Sequence, residues 1–182
     1  MGTPGEPKPA KYFVALLSSN CELLTTVESD LAPILGAVDA RSEVWPWSAS
    51  KFYESEMGGD LRRRFVSFAQ LASPGDLARL KLLTQDIEDR YRNRSADHTG
   101  RRINLDPGYL DTFKVALAST KNAGQRLYLH SGIYAEASLM YFDGAFHGLA
   151  YTYKDYLWPR TLAFFTSLRA EYLAQLRRLG YA

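Results

Sequence analysis

Six consecutive apolar residues, Tyr12 to Leu17 (YFVALL), follow a lead rich in Pro and Gly. A run this short with no polar position inside it reads as a strand buried on both faces, at the centre of a sheet. Everything else in the chain has to be arranged around such a strand. At 182 residues there is enough chain to build one core about it without disulfides or a structural metal.

The segments that follow alternate between two periodicities. After Ser18-Ser19-Asn20, which can cap a helix, Leu23, Leu24, Val27, Leu31, Ile34 and Leu35 recur at helical spacing and stop at Gly36. Pro33 falls in the last turn, where it can bend the helix. The stretch from Arg41 to Tyr53 alternates and is aromatic, and Pro46 keeps it out of the middle of a ladder, so it reads as a broken strand near an edge. Ser73-Pro74-Gly75-Asp76 is a helix start, and Leu77, Leu80, Leu83, Ile87 and Tyr91 make the apolar stripe of a second helix to about Arg92. The polar run Asn93 to Gly100 reads as a loop. Strand patterns follow at Thr112 to Ala118, Arg126 to His130 and Ile133 to Phe142. Asp143-Gly144 is the strongest hairpin signal in the chain, returning through Phe146 to Tyr153. Trp158 to Leu179 closes the chain as an amphipathic helix.

Sequential, hairpin-linked strands with helices lying mostly elsewhere predict an α+β domain. We expect a mainly antiparallel sheet of roughly five to seven strands with three principal helices. Residues 1–10 read as a flexible lead and 11–182 as the single domain. The lone Cys21 excludes an internal disulfide and fits a reducing compartment. The lead has no secretory apolar stretch, and no segment approaches the roughly 20 apolar residues of a membrane span. The expectation is a cytoplasmic protein.

Net charge is only +2, but it is unevenly spread. Residues 1–61 hold four Lys/Arg against nine Asp/Glu, whereas 62–102 hold ten against five, and nine of those ten are Arg. Arginine forks suit phosphate and carboxylate. These arginines either serve an anionic partner or pair with Glu54, Glu56 and the acids at 86–89 on solvated helix faces.

The nearest thing to a site is Arg101 to Tyr109 (RRINLDPGY). Asp106-Pro107-Gly108 is turn chemistry, and such a turn can present Arg101, Arg102, Asn104, Asp106 and Tyr109 to a ligand, or merely link two elements. Ser119-Thr120-Lys121 could offer hydroxyls and an ammonium to a phosphate, but the G-x-x-x-x-G-K-[ST] phosphate loop is absent. Asp97-His98-Thr99-Gly100 matches the loose D-x-x-G element, without an N-K-x-D partner. Glu136, between two alanines in a strand, sits either on the wet face or toward a cavity, where it is the candidate acid or base. Glu54 and Glu56, with Asp106 or Asp155, could hold a hard cation or be plain surface acids; no metal site is assigned. The three histidines lack metal-ligand spacing. Tyr151, Tyr153, Tyr156 and Trp158 could stack a base or belong to the core.

Taken in order, FVALLSS, YESEMGGDLRRRF, RRINLDPGYL, LASTK and SGIYAEASLMYF followed by YTYKDY resemble the prokaryotic family catalogued as domain of unknown function 4416. The resemblance covers nearly the whole chain, most specifically at Tyr53 to Gly58 and Asn104 to Tyr109. It implies a stand-alone bacterial or archaeal cytoplasmic protein, and it brings no cofactor and no catalytic residue. Some members carry a GTP-binding label, which finds no phosphate loop here.

Two functions are expected. In the first, a small anionic, nucleotide-like ligand is bound or turned over: Arg101, Arg102 and Lys121 neutralise it, Asn104 and Asp106 orient it, Glu56 and Tyr109 stand beside it, and Glu136 is the acid or base. In the second, a noncatalytic protein- or RNA-interaction module uses the basic 62–102 segment. Arginines converging with Asn104 and Glu136 in a hollow would favour the ligand; arginines spread over a convex face would favour RNA.

Overall fold

The YFVALL run lies at the middle of the sheet. In the computed structural model, which describes residues 2–94 and 99–181 with the backbone alone at 94 and 99, β1 (Ala10–Ser18) is buried along its whole length. Its side chains alternate between two cores, as the pleat requires. Tyr12, Val14 and Leu16 join one apolar cluster, and Phe13 and Ala15 join another on the opposite face.

The first cluster is covered by α1 (Cys21–Leu35), which enters from Asn20, whose side chain accepts from the Leu23 N–H at 3.1 Å. Pro33 does not end this helix, which continues to Leu35. Two stretches that periodicity left unassigned or blurred come next. β2 (Val38–Arg41) and β3 (Trp45–Pro46) both pair with β4 (Arg62–Ala72), so the aromatic stretch is indeed broken and at an edge. Between β3 and β4 a one-turn helix, α2 (Glu54–Met57), tucks Met57 against Leu17 and Leu61. A 3-10 turn at Pro74–Asp76 leads into α3 (Leu77–Arg90), which lies beside α1 over the first cluster.

The run read as a loop from Asn93 to Gly100 is corrected at both ends: β5 (Asn93–Arg94) and β6 (Thr99–Gly100) pair antiparallel. Residues 95–98, with Asp97 and His98 of the D-x-x-G element, lie outside the described residues. The remaining strands are β7 (Asn104–Leu110), β8 (Lys114–Ser119), β9 (Leu127–Tyr128), β10 (Tyr134–Phe142) and β11 (Ala145–Gly148). The β10–β11 hairpin turns through Asp143 (φ 49°) and Gly144 (φ 80°), the paired left-handed conformations of a two-residue turn. The return strand stops at Gly148, short of Tyr153. α4 (Pro159–Arg178) packs Phe165, Leu168, Tyr172 and Leu176 onto the second cluster.

The result is an α+β domain whose antiparallel sheet runs β11-β10-β8-β7-β1-β4-β2, with β3 and β9 at its margins. The principal helices α1 and α3 lie on one face and α4 on the other. Among the described residues no helix is long and apolar enough to cross a membrane.

One sequence reading fails in an informative way. Asp106-Pro107-Gly108 is not a turn; it is the middle of β7, paired along β1 from Asn104 to Leu110. Gly108 is there for lack of room, since a Cβ would lie 2.4 Å from the Ala116 carbonyl oxygen and 2.6 Å from Phe13 Cζ. Pro107 is tolerated because of where its missing N–H would point. The Leu105 N–H donates to Glu88 at 2.5 Å and its carbonyl accepts from Lys81 at 2.8 Å, so both groups face away from β1, toward β8. Two residues on, the Pro107 nitrogen faces the same way. The β7–β8 ladder extends only from Leu110–Val115 to Gly108–Leu117 and stops where the donor is lost. Beyond that point the strands part, and Lys81 and Glu88 of α3 supply the hydrogen bonds β8 would have made.

Candidate functional site

Over this parting, on the α4 side of the sheet, is a cavity of about 590 Å³, within the range of roughly 300–1,000 Å³ usual for small-molecule sites. Its floor follows from strand alternation. Arg63 on β4, Asn104 and Asp106 on β7, Leu117 on β8 and Glu136 on β10 all project to the same face. One wall is the segment around Trp47 and Tyr53; the other is made by the loop after β8 and by residues 151–156.

The charges are held in an ordered way. Arg101 forks onto Glu56, Nε to Oε1 at 2.9 Å and Nη2 to Oε2 at 2.8 Å, and its Nη1 donates to Asn104 Oδ1 at 2.6 Å. Those hydrogen bonds from Arg101 hold the Glu56 carboxyl below the usual carboxylate range, against a smaller opposing effect of burial. Asn104 Nδ2 in turn donates to Asp106 Oδ2 at 2.6 Å, the two side chains sharing one face of the strand at i and i+2. Burial acts to raise the Asp106 carboxyl, but Lys81, 3.4 Å away, together with Arg63 and Asn104 brings it below its ordinary value. Solvent still reaches 28% of its side chain, through the cavity. Glu88, behind the parting, is pushed up by burial more than Lys81 and the Leu105 N–H pull it down.

On the far side Glu136 is buried, and its Oε2 accepts from Arg126 Nε at 2.9 Å and Gln125 Nε2 at 3.1 Å. Arg126 also donates to the Tyr153 hydroxyl at 2.7 Å. At the mouth, the exposed Lys121 ammonium lies 4.5 Å from the Phe52 ring centroid. Deeper, the Arg63 guanidinium sits 4.7 Å from the Trp47 ring centroid, with its Nε 3.1 Å from Asp155 Oδ2. Burial pushes the Asp155 carboxyl up despite that neighbour. Burial also acts against the Arg63 charge, but Asp155 and Asp106 outweigh it, so the guanidinium stays protonated.

Of the residues the sequence singled out, Arg101, Asn104, Asp106, Lys121 and Glu136 meet in this cavity. Glu56 stands behind it as the partner of Arg101. Arg102 is exposed, with its carbonyl bonded to Ser18 Oγ, and Tyr109 lies on the opposite face of the sheet, edge-on to Tyr12 at 6.0 Å; neither lines it. Asp155 and Tyr156, weighed as an oxygen ligand and a stacking ring, are both at the cavity. Among the described residues no three His, Cys, Asp or Glu side chains come together as a metal site. Arg63, Lys81, Arg126 and Trp47 were missed. The available signal for Arg63 was the aromatic and β-branched stretch Phe65 to Phe68 after it, which suits a strand and gives Arg63 and Phe65 the same face.

Residues 8–172 match the family described as a domain of unknown function (DUF4416), and the chain belongs to that family. No curated protein and no solved structure matches it.

Proposed function

We propose that this member of the family binds a small anionic ligand in the cavity, nucleotide-like in joining a charged end to a flat ring. The observation that carries the reading is the imbalance inside the hollow. Among the described residues, six cations (Arg63, Lys81, Arg101, Lys121, Arg126 and Lys154) line it against the three carboxylates of Asp106, Glu136 and Asp155, beside the rings of Trp47, Phe52 and Tyr53. An excess of positive charge in a recess with low-dielectric walls concentrates anions there, and the rings give a flat group something to stack on. Asn104 and Asp106 orient the ligand at the floor. Glu136, with Oε2 on Arg126, holds that guanidinium in place rather than moving a proton.

Three of the remaining arginines of 62–102 support the same choice over an RNA surface. Arg64 pairs with Glu28, Arg90 with Asp30 and Arg92 with Asp89, so their charge is locally answered instead of forming a stripe for phosphates.

Thermal unfolding of the full chain with nucleotides, sugar phosphates and inorganic phosphate tests the proposal. A ligand at about 100 times its Kd adds about 2.7 kcal/mol, which for a chain of this size raises Tm by about 5–10 °C. No stabilisation by any anion, together with salt-dependent RNA binding, would overturn it in favour of the RNA reading.

A further inference from the structure

Among the described residues, three side chains at the cavity carry buried polar atoms with no hydrogen-bond partner. Arg63 is 3% exposed and its Nε and Nη1 have no hydrogen-bond partner; Asp155 is 1% exposed with Oδ2 unpartnered; Tyr156 is 2% exposed with a free hydroxyl. All three line the void. The 3.1 Å approach of Arg63 Nε to Asp155 Oδ2 brings opposite charges together without the alignment of a hydrogen bond. Leaving such groups buried and unbonded costs stability, and folds keep them where something else completes them.

The other cations of the cavity are differently placed. Arg101 is forked to Glu56 and Asn104, Arg126 to Glu136 and Tyr153, and Lys81 to the Leu105 carbonyl and Asp106. Lys121 and Lys154 are exposed at the mouth, where water screens them. Arg63 combines depth, full charge and vacant N–H groups, and at such depth an ion contact is stronger than at the surface.

The vacant set has a definite complement. The Arg63 guanidinium, with an open Nη1, calls for an anionic acceptor, Asp155 Oδ2 calls for a donor, and the Tyr156 hydroxyl can serve either. We infer that the cavity floor receives an oxyanion bearing a neighbouring hydroxyl, the oxyanion on Arg63 and the hydroxyl donating to Asp155. The inference rests on the anion-binding reading and adds which end of the ligand goes in first. Sugar phosphates, including the ribose phosphate of a nucleotide, share this chemistry with hydroxy acids.

Calorimetry on the full chain separates these sources, using ribose 5-phosphate and D-glycerate against inorganic phosphate and propionate, which lack the hydroxyl. Each hydroxylated anion binds about tenfold more tightly than its plain counterpart, the worth of one hydrogen bond to a charged acceptor. Arg63→Lys weakens all binders about tenfold or more, because an ammonium cannot present the planar donors of the guanidinium at the same place. Asp155→Asn narrows the preference for the hydroxyl, because an amide oxygen is a weaker acceptor than a carboxylate, and strengthens phosphate binding, because a negative charge beside the anion is gone. Trp47 offers a second readout that needs no Arg63 variant: its emission changes as the anion arrives, and Trp47→Phe abolishes that change. If ribose 5-phosphate binds folded Arg63→Lys as well as wild type and leaves Trp47 emission unmoved, the anion sits at the mouth, and this inference falls while the anion-binding reading stands. If no anion of either panel binds, both fall.

Discussion

Gly108→Ala tests the seam from which the cavity opens. Gly108 faces Leu117 across the last rung of the β7–β8 ladder and Phe13 across β1. A methyl there would lie 2.4 Å from the Ala116 carbonyl oxygen, 2.6 Å from Phe13 Cζ and 2.9 Å from Leu117 Cδ2. The carbonyl belongs to a ladder and cannot withdraw without breaking it. The Phe13 ring is fully buried and packs edge-on against Phe165 at 4.9 Å between centroids, so it has nowhere to go. Overpacking of this kind costs about 1–3 kcal/mol, and each ladder bond lost adds about 0.5–1.5 kcal/mol. We expect Gly108→Ala to lose about 3 kcal/mol in urea denaturation with an unchanged m value, and about 6–12 °C in Tm for a chain of this length. Gly59→Ala, with nothing within 4 Å of its added methyl, is the control and should stay within about 0.5 kcal/mol. If Gly108→Ala matches that control, β7 and β8 do not close at this rung, and the account of why the cavity begins there is wrong.

Arg126→Met leaves the buried Glu136 carboxylate without its cation and should cost about 3–5 kcal/mol; adding Glu136→Gln should recover most of it, and a double variant no more stable than the single would refute the pairing. Lys81→Met strips the Leu105 carbonyl and Asp106 of a donor, with an expected loss of about 1–3 kcal/mol by urea denaturation. Burial lifts the Glu88 carboxyl above its ordinary value, so wild-type stability declines as pH rises from about 4.3 through the raised native pKa. Glu88→Gln, which can still accept the Leu105 N–H, should gain on wild type across that window and then level off; parallel urea curves from pH 4 to 8 would contradict this. Asp106 runs the other way: its lowered pKa gives wild type an advantage over Asp106→Asn that is present above about pH 3.9 and disappears as pH falls through the native value.

The elements legible in the sequence were those whose periodicity is local. The β1 run, the capped α1, the Ser-Pro start before α3, the Asp143-Gly144 hairpin and the stripe of α4 each announce themselves within about twenty residues, because capping, turn geometry and amphipathic spacing are short-range requirements. β4 was not legible. Its opening Arg62-Arg63-Arg64 reads as a solvated charge run, whereas alternation sends Arg63 inward to Trp47 and Asp155 and Arg64 outward to Glu28. Asn104, Asp106 and Glu136 were recognised as a set worth joining, although the supposed turn that was to join them does not exist.

Sequence alone therefore determined the α+β class, the buried first strand and the three principal helices, since each is selected by the chain's own neighbours. Tertiary structure decided that Asp-Pro-Gly is a strand, that the sheet parts beside it, and that Arg63 faces a hollow. The reason is that turn propensity is a weak local preference. It yields to a segment bonded along one edge to β1, whose residues 13–15 are 91 to 95 positions away in the chain, and on the other to β8 and then to α3 side chains.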